Sequence, residues 1–146
     1  MINNQVKETK WEKLKRNKNF TERMFNKYFI IRDELEEMRT VIMNGRGFSI
    51  LGNAVYSEGD STSTKAIELA DNPMIIESEK WLKVITDTYK YYKGDVKEKV
   101  VKCMVNNLEM ERIKKYTGLT KREYEVEKNR VLNYACDLAT KKNLFD

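Results

Sequence analysis

Between Phe20 and Ile42 the residues Phe20, Met24, Tyr28, Ile31, Leu35, Met38 and Ile42 recur at steps of three or four. That spacing places side chains on one face of an α-helix. With Trp11 and Leu14 ahead of the stripe, it predicts a continuous helix from near Lys10 to a stop at Gly45 and Gly47. The stripe is narrow and flanked by the charged run RDELEE, so it suits a seam between subunits as well as a monomer core. A homodimer through the N-terminal helices is therefore a candidate association.

The rest of the chain continues in the same helical manner. Residues 44–64 are rich in Gly, Ser, Asn and Thr and read as a flexible loop or linker, after which STSTKAIELA opens a helix with Ile67 and Ala70 on its apolar face. Pro73 marks a bend or the first turn of a further helix, whose face runs through Ile75, Ser78, Leu82, Ile85, Tyr89 and Tyr92 beside Trp81 until Gly94 closes it. The tyrosines Tyr89, Tyr91 and Tyr92 lie in an acidic neighbourhood that favours packing over base stacking. Beyond Gly94 come a helix capped by Asp95 with Val96, Val100, Cys103 and Met104 inward, a short helix in EMERIKKY with Ile113, and a third from Thr120 to about Thr140. One proline and six glycines in 146 residues, with 40% hydrophobic and 35% charged residues, agree with an all-α protein. Two parts are expected: a helical N-terminal region at 1–94 and a three-helix unit at 95–146.

Several functions are made improbable by what the chain lacks. Without histidine it has neither the commonest general base nor the usual nitrogen ligand for zinc. Its glycines match no phosphate-binding spacing, so no nucleotide cofactor is expected. Cys103 and Cys136 fall on apolar helical faces, as buried free thiols do, and not in metal spacing. No apolar run reaches the roughly 20 residues that cross a bilayer, and the start resembles no signal peptide, so a cytoplasmic protein that is not an enzyme is expected. The net charge of +5 is uneven: residues 1–32 hold nine basic and three acidic residues, 33–94 seven and eleven, and 95–146 twelve and nine. Basic ends suit a polyanionic partner, though they also suit solvated helix faces.

The stretch KKYTGLTKREYEVEKNRVL breaks strong helical sequence at Thr117, Gly118, Leu119 and Thr120. A helix-turn-helix breaks in this way, because one turn residue needs a backbone that glycine adopts cheaply. Leu119 would tuck under the turn and Thr120 would cap the following helix. That helix would bury Tyr124, Val131, Leu132, Ala135 and Leu138 and leave Lys121, Arg122, Glu125, Lys128 and Asn129 outward. Such side chains can read base edges in a major groove. Glu123, Glu125 and Glu127 would repel phosphates, so binding should be selective.

IKKYTGLTKREYEVEKNRVL resembles the region-four helix-turn-helix of sigma factors at Ile113, Gly118, Leu119, Thr120, Tyr124, Arg130, Val131 and Leu132. Lys114 stands where that pattern has a small alanine, and Thr117 where it has leucine. Over roughly residues 30–140, the order RDELEEMR, a Gly/Ser-rich stretch, STKAIELA and IIESEKWLKVITDTYKYYKGD resembles the RinA and ArpU group of phage transcriptional regulators. The resemblance implies an activator of phage late, packaging or lysis genes that binds double-stranded DNA in a bacterial host, with contact to host RNA polymerase left open. It places Lys121, Arg122, Glu125 and Val126 near bases and Arg130 near the backbone, with Arg112, Lys114 and Lys115 as further phosphate contacts. A small-terminase-like packaging subunit and a helical adaptor that never meets DNA are the alternatives.

Overall fold

Capping side chains decide where several of the helices begin. The computed structural model describes residues 8–43 and 72–145; the expected loop at 44–64 and the helix opening at 61–70 lie outside them. All regular structure among the described residues is α-helical: α1 Lys10–Asn26, α2 Tyr28–Met43, α3 Pro73–Tyr91, α4 Val96–Val105, α5 Met110–Thr117 and α6 Lys121–Lys141. At the start of α1 the Thr9 hydroxyl accepts from the Glu12 amide at 3.0 Å, and the Glu12 carboxylate accepts from the Thr9 amide at 2.9 Å. This reciprocal box satisfies amides that the first turn leaves without helical partners. The hydrogen bond from the Thr9 amide holds the Glu12 carboxyl below its usual range. Pro73 is the first residue of α3, where its missing amide costs nothing, and Asn72 Oδ1 accepts from the amides of Met74 and Ile75. Asp95 caps α4 by accepting from the Lys97 amide at 2.9 Å.

The continuous helix expected from Lys10 into the forties is instead two helices, interrupted at Lys27. Lys27 leaves helical geometry at φ −102° and ψ 11°. The Asn26 carbonyl, which would otherwise carry the ladder onward, accepts from Asn107 Nδ2 at 2.8 Å. A side chain 81 positions away in sequence thus caps α1, and helical spacing across the junction gives no warning of it.

Two compact units result, Met1–Lys27 with Val84–Asp146, and Tyr28–Lys83; their boundaries do not coincide with the division at Gly94. In the first unit α6 packs on α1 and α4, α1 packs on α4, and α5 packs on α4. The core draws Thr21 and Phe25 from α1, Val100, Val101, Cys103 and Met104 from α4, and Ile113 from α5. From α6 come Tyr124, Val131, Leu132, Ala135, Cys136 and Ala139. Leu138, expected inside, is half-buried. Tyr91 stacks on Tyr134 at 4.1 Å with 12° between the rings, and Tyr92 meets Tyr134 edge-on, so two of the three clustered tyrosines do pack.

In the second unit Leu35 and Ile42 of α2 cluster with Ile75 of α3, with Met38 and Leu82 packed against them, and Arg39 pairs with Glu79. Helix α3 runs through both units: Ile75 and Trp81 are buried in its second-unit part, with Ser78 and Leu82 half-buried, and Val84, Ile85 and Thr88 are buried in its first-unit part, with Tyr89 half-buried. The buried positions thus differ from the expected face in taking in Trp81, Val84 and Thr88. No helix among the described residues is long and apolar enough to cross a membrane.

Both cysteines are buried free thiols. The Thr21 hydroxyl donates to the Asn17 carbonyl at 2.8 Å and lies 3.2 Å from Cys136 Sγ, so the thiol is left to donate to Thr21. Burial pushes the Cys103 thiol up to about 11. At pH 8 roughly one Cys103 in a thousand would be thiolate, so a thiol reagent should label neither cysteine in native protein and both after unfolding. Leu132→Ala should lower stability in urea by about 2–5 kcal/mol. Leu14→Ala, at a side chain 54% exposed, should change it by less than about 0.5 kcal/mol.

Candidate nucleic-acid interface

The turn between α5 and α6 is built from three consecutive local devices. Thr117 ends α5 with its hydroxyl donating to the Ile113 carbonyl at 2.7 Å and accepting from the Leu119 amide at 3.1 Å. Gly118 follows in the left-handed region, at φ 76° and ψ 7°, its amide donating to the Lys114 carbonyl at 2.8 Å. Thr120 then caps α6: its hydroxyl accepts from the Glu123 amide at 3.1 Å, while the Glu123 carboxylate accepts from the Thr120 amide at 2.9 Å. Helix α5 thus ends and α6 begins within three residues, Gly118 to Thr120, while most polar backbone groups of the turn keep a partner.

This turn fixes what the start of α6 presents. Lys121 and Arg122 are exposed in its first turn and make no ion pair among the described residues. Glu125, Val126, Asn129 and Arg130 are also exposed. Arg112, Lys114 and Lys115 are exposed on α5, which joins α6 through the turn.

Lys128 stands apart from this set. Its ammonium lies 2.9 Å from Glu22 Oε2 on α1 and 3.3 Å from Glu125 Oε1, with 15% of the side chain exposed. Burial disfavours the ammonium, but the hydrogen bond to Glu22 and the charges of Glu22 and Glu125 outweigh it and hold its pKa above the ordinary lysine value. A lysine clasped in this way joins α6 to α1 and has little charge to spend on a phosphate. Arg130 pairs with Glu127 at 3.2 Å yet remains 61% exposed, and Glu127 also lies 3.0 Å from Lys97 on α4. The Lys97 ammonium is held above its usual range by the hydrogen bond to Glu127, against the opposing effect of burial.

Helix α1 brings basic residues to the same unit that the outward-facing positions of α6 gave no reason to include. Trp11, Leu14, Lys15, Lys18 and Asn19 of α1 line a cleft with Asn129 of α6. The only sequence sign of them is the basic excess of residues 1–32, which by itself does not separate a binding face from a solvated one.

A Cβ at Gly118 would meet nothing within 4 Å, so the cost of substitution there is conformational and not steric crowding. Gly118→Ala should destabilise the chain by roughly 1–2 kcal/mol, and Gly118→Asn by less, because asparagine tolerates left-handed backbone; equilibrium unfolding in urea measures both. No protein-family model matches the chain, and comparison with curated proteins and with solved structures finds no match to either.

Proposed function

We propose that the protein is a sequence-specific DNA-binding regulator of transcription in which α4, α5 and α6 act as a helix-turn-helix and the N-terminal turn of α6 enters the major groove. One observation carries the reading: Lys121 and Arg122 are exposed, free of ion pairs among the described residues, and set at a capped helix start directly after a left-handed glycine. Arginine at such a position can pair bidentately with guanine, and lysine can reach the same edge. Val126 supplies a methyl contact farther along the same face, and Asn129 lies beyond it toward the backbone. Arg112, Lys114, Lys115 and Arg130 serve the phosphates, which position the protein without selecting sequence. The resemblance to phage regulators makes activation of late, packaging or lysis genes the role in the cell, with host RNA polymerase as a second partner.

Exposed Phe29, Ile30 and Val41 on α2 favour association between copies, which a dimeric regulator and a ring-forming packaging subunit share. Particle mass separates the two: a monomer or dimer fits regulation, and a ring of many copies fits packaging.

Selection of bound sequences from a random duplex library should return a defined motif. Arg122→Ala should cost about 1–3 kcal/mol on that motif and relax one position within it. Failure to enrich any sequence, or an equal loss on every duplex in Arg122→Ala, would remove base reading from this helix.

A further inference from the structure

We infer that α1 is a second nucleic-acid-contacting element, its cleft with α6 receiving the phosphodiester backbone at the edge of the groove that α6 enters. The inference rests on the proposed DNA-binding reading and extends its footprint to a helix outside the helix-turn-helix.

The cleft is walled by Trp11, Leu14, Lys15, Lys18 and Asn19 on one side and Asn129 on the other. Trp11 is 66% and Leu14 54% exposed, an unusual amount of apolar surface on a helix this basic. The Lys15 ammonium sits 5.2 Å from the centre of the Trp11 ring, which holds the cation beside the indole face. With a volume of about 250 Å³ the cleft falls below the ~300–1,000 Å³ that encloses a small molecule. An extended, charged chain crossing its open side fits better.

Charge selects that chain. Helix α1 carries six basic residues and two acidic ones, and both acidic ones are engaged: Glu12 in the capping box with Thr9 and Glu22 with Lys128. Lys15 is exposed and Lys18 half-buried at the cleft, and no carboxylate on α1 is left without a partner.

Position selects duplex DNA. Asn129 follows Lys121 by eight residues, about 12 Å along a helix axis at 1.5 Å per residue. The major groove is about 12 Å wide. With Lys121 and Arg122 at the bases, Asn129 and the α1 cleft fall where the helix leaves the groove and meets a strand. Lys15 and Lys18 there neutralise phosphates, Asn19 donates to a phosphate oxygen, and the flat face of Trp11 lies against deoxyribose.

The two tryptophans make this testable in the intact protein, since Trp11 is exposed while Trp81 is 1% exposed. Iodide should quench Trp11 emission in free protein and lose most of that access when the selected duplex is saturating; Trp11→Phe, with only the buried Trp81 left, should show little quenching in either state. Lys15→Ala with Lys18→Ala, with helix content checked by circular dichroism, should flatten the slope of log affinity against log salt by about two, close to two phosphate contacts. Affinity for the selected and scrambled duplexes should fall by the same factor, leaving their ratio unchanged.

If the duplex is bound with an Arg122-dependent preference while iodide access and the salt slope stay as in free and wild-type protein, α1 is not a contact and the regulator reading stands alone. A Trp11 blue shift with phosphatidylglycerol vesicles and none with DNA would make the face a membrane contact and overturn the inference. Absence of DNA binding by wild-type protein would overturn both.

Discussion

Burial of one face of α6 between α1 and α4 is the contact on which the first unit depends. Ala135 and Ala139 are completely buried and Val131 fully enclosed, so the facing helices approach a surface of small and branched residues that leaves few voids. Removing a valine or leucine side chain from water is worth about 1.5–3 kcal/mol, and α6 supplies Val131 and Leu132 to that core in addition to the ring of Tyr124. The ring carries a hydroxyl whose ionisation burial strongly disfavours. Everything at the exposed start of α6 is positioned by this inward face, which fixes the rotation of the helix about its axis.

The sequence determines the ends of elements better than their partners. Thr120 with Glu123, Asp95, and Asn72 before Pro73 are local pairings in which a side chain finds an amide two or three residues on, and local rules suffice to read them. The turn at Gly118 was legible for the same reason, since left-handed backbone at a helix end has a strong residue preference. The break at Lys27 was not, because its capping group comes from Asn107. Nor was the joining of α1 to the C-terminal helices, which depends on Phe25, Thr21 and Glu22 finding α4 and α6. Helical spacing identifies an apolar face but not what covers it.

Lys128 shows the same limit within the candidate site. Its position on α6 places it among outward residues by periodicity, and its charge suits a phosphate. What removes it from the solvated set is a carboxylate 106 residues earlier, invisible to any reading of α6 alone. The all-helical class and the residues of the turn were therefore legible, whereas the break at Lys27, the partners of α1 and the pairing of the charged residues needed the tertiary arrangement.

That division also answers the objection raised by the glutamates of α6. Three carboxylates in the first two turns of a reading helix would repel a phosphate backbone if they stood free. Glu123 is spent on the Thr120 cap, Glu125 lies against Lys128, and Glu127 lies between Lys97 and Arg130. Each is matched by an amide or an ammonium of the same unit. Lys121, Arg122 and the positive end of the helix dipole, which extends over the first turn, oppose the charge of these carboxylates at the start of α6. Hydrogen bonds and ion pairs thus occupy these carboxylates without removing their charge, and their remaining edges can accept from a base donor such as cytosine N4.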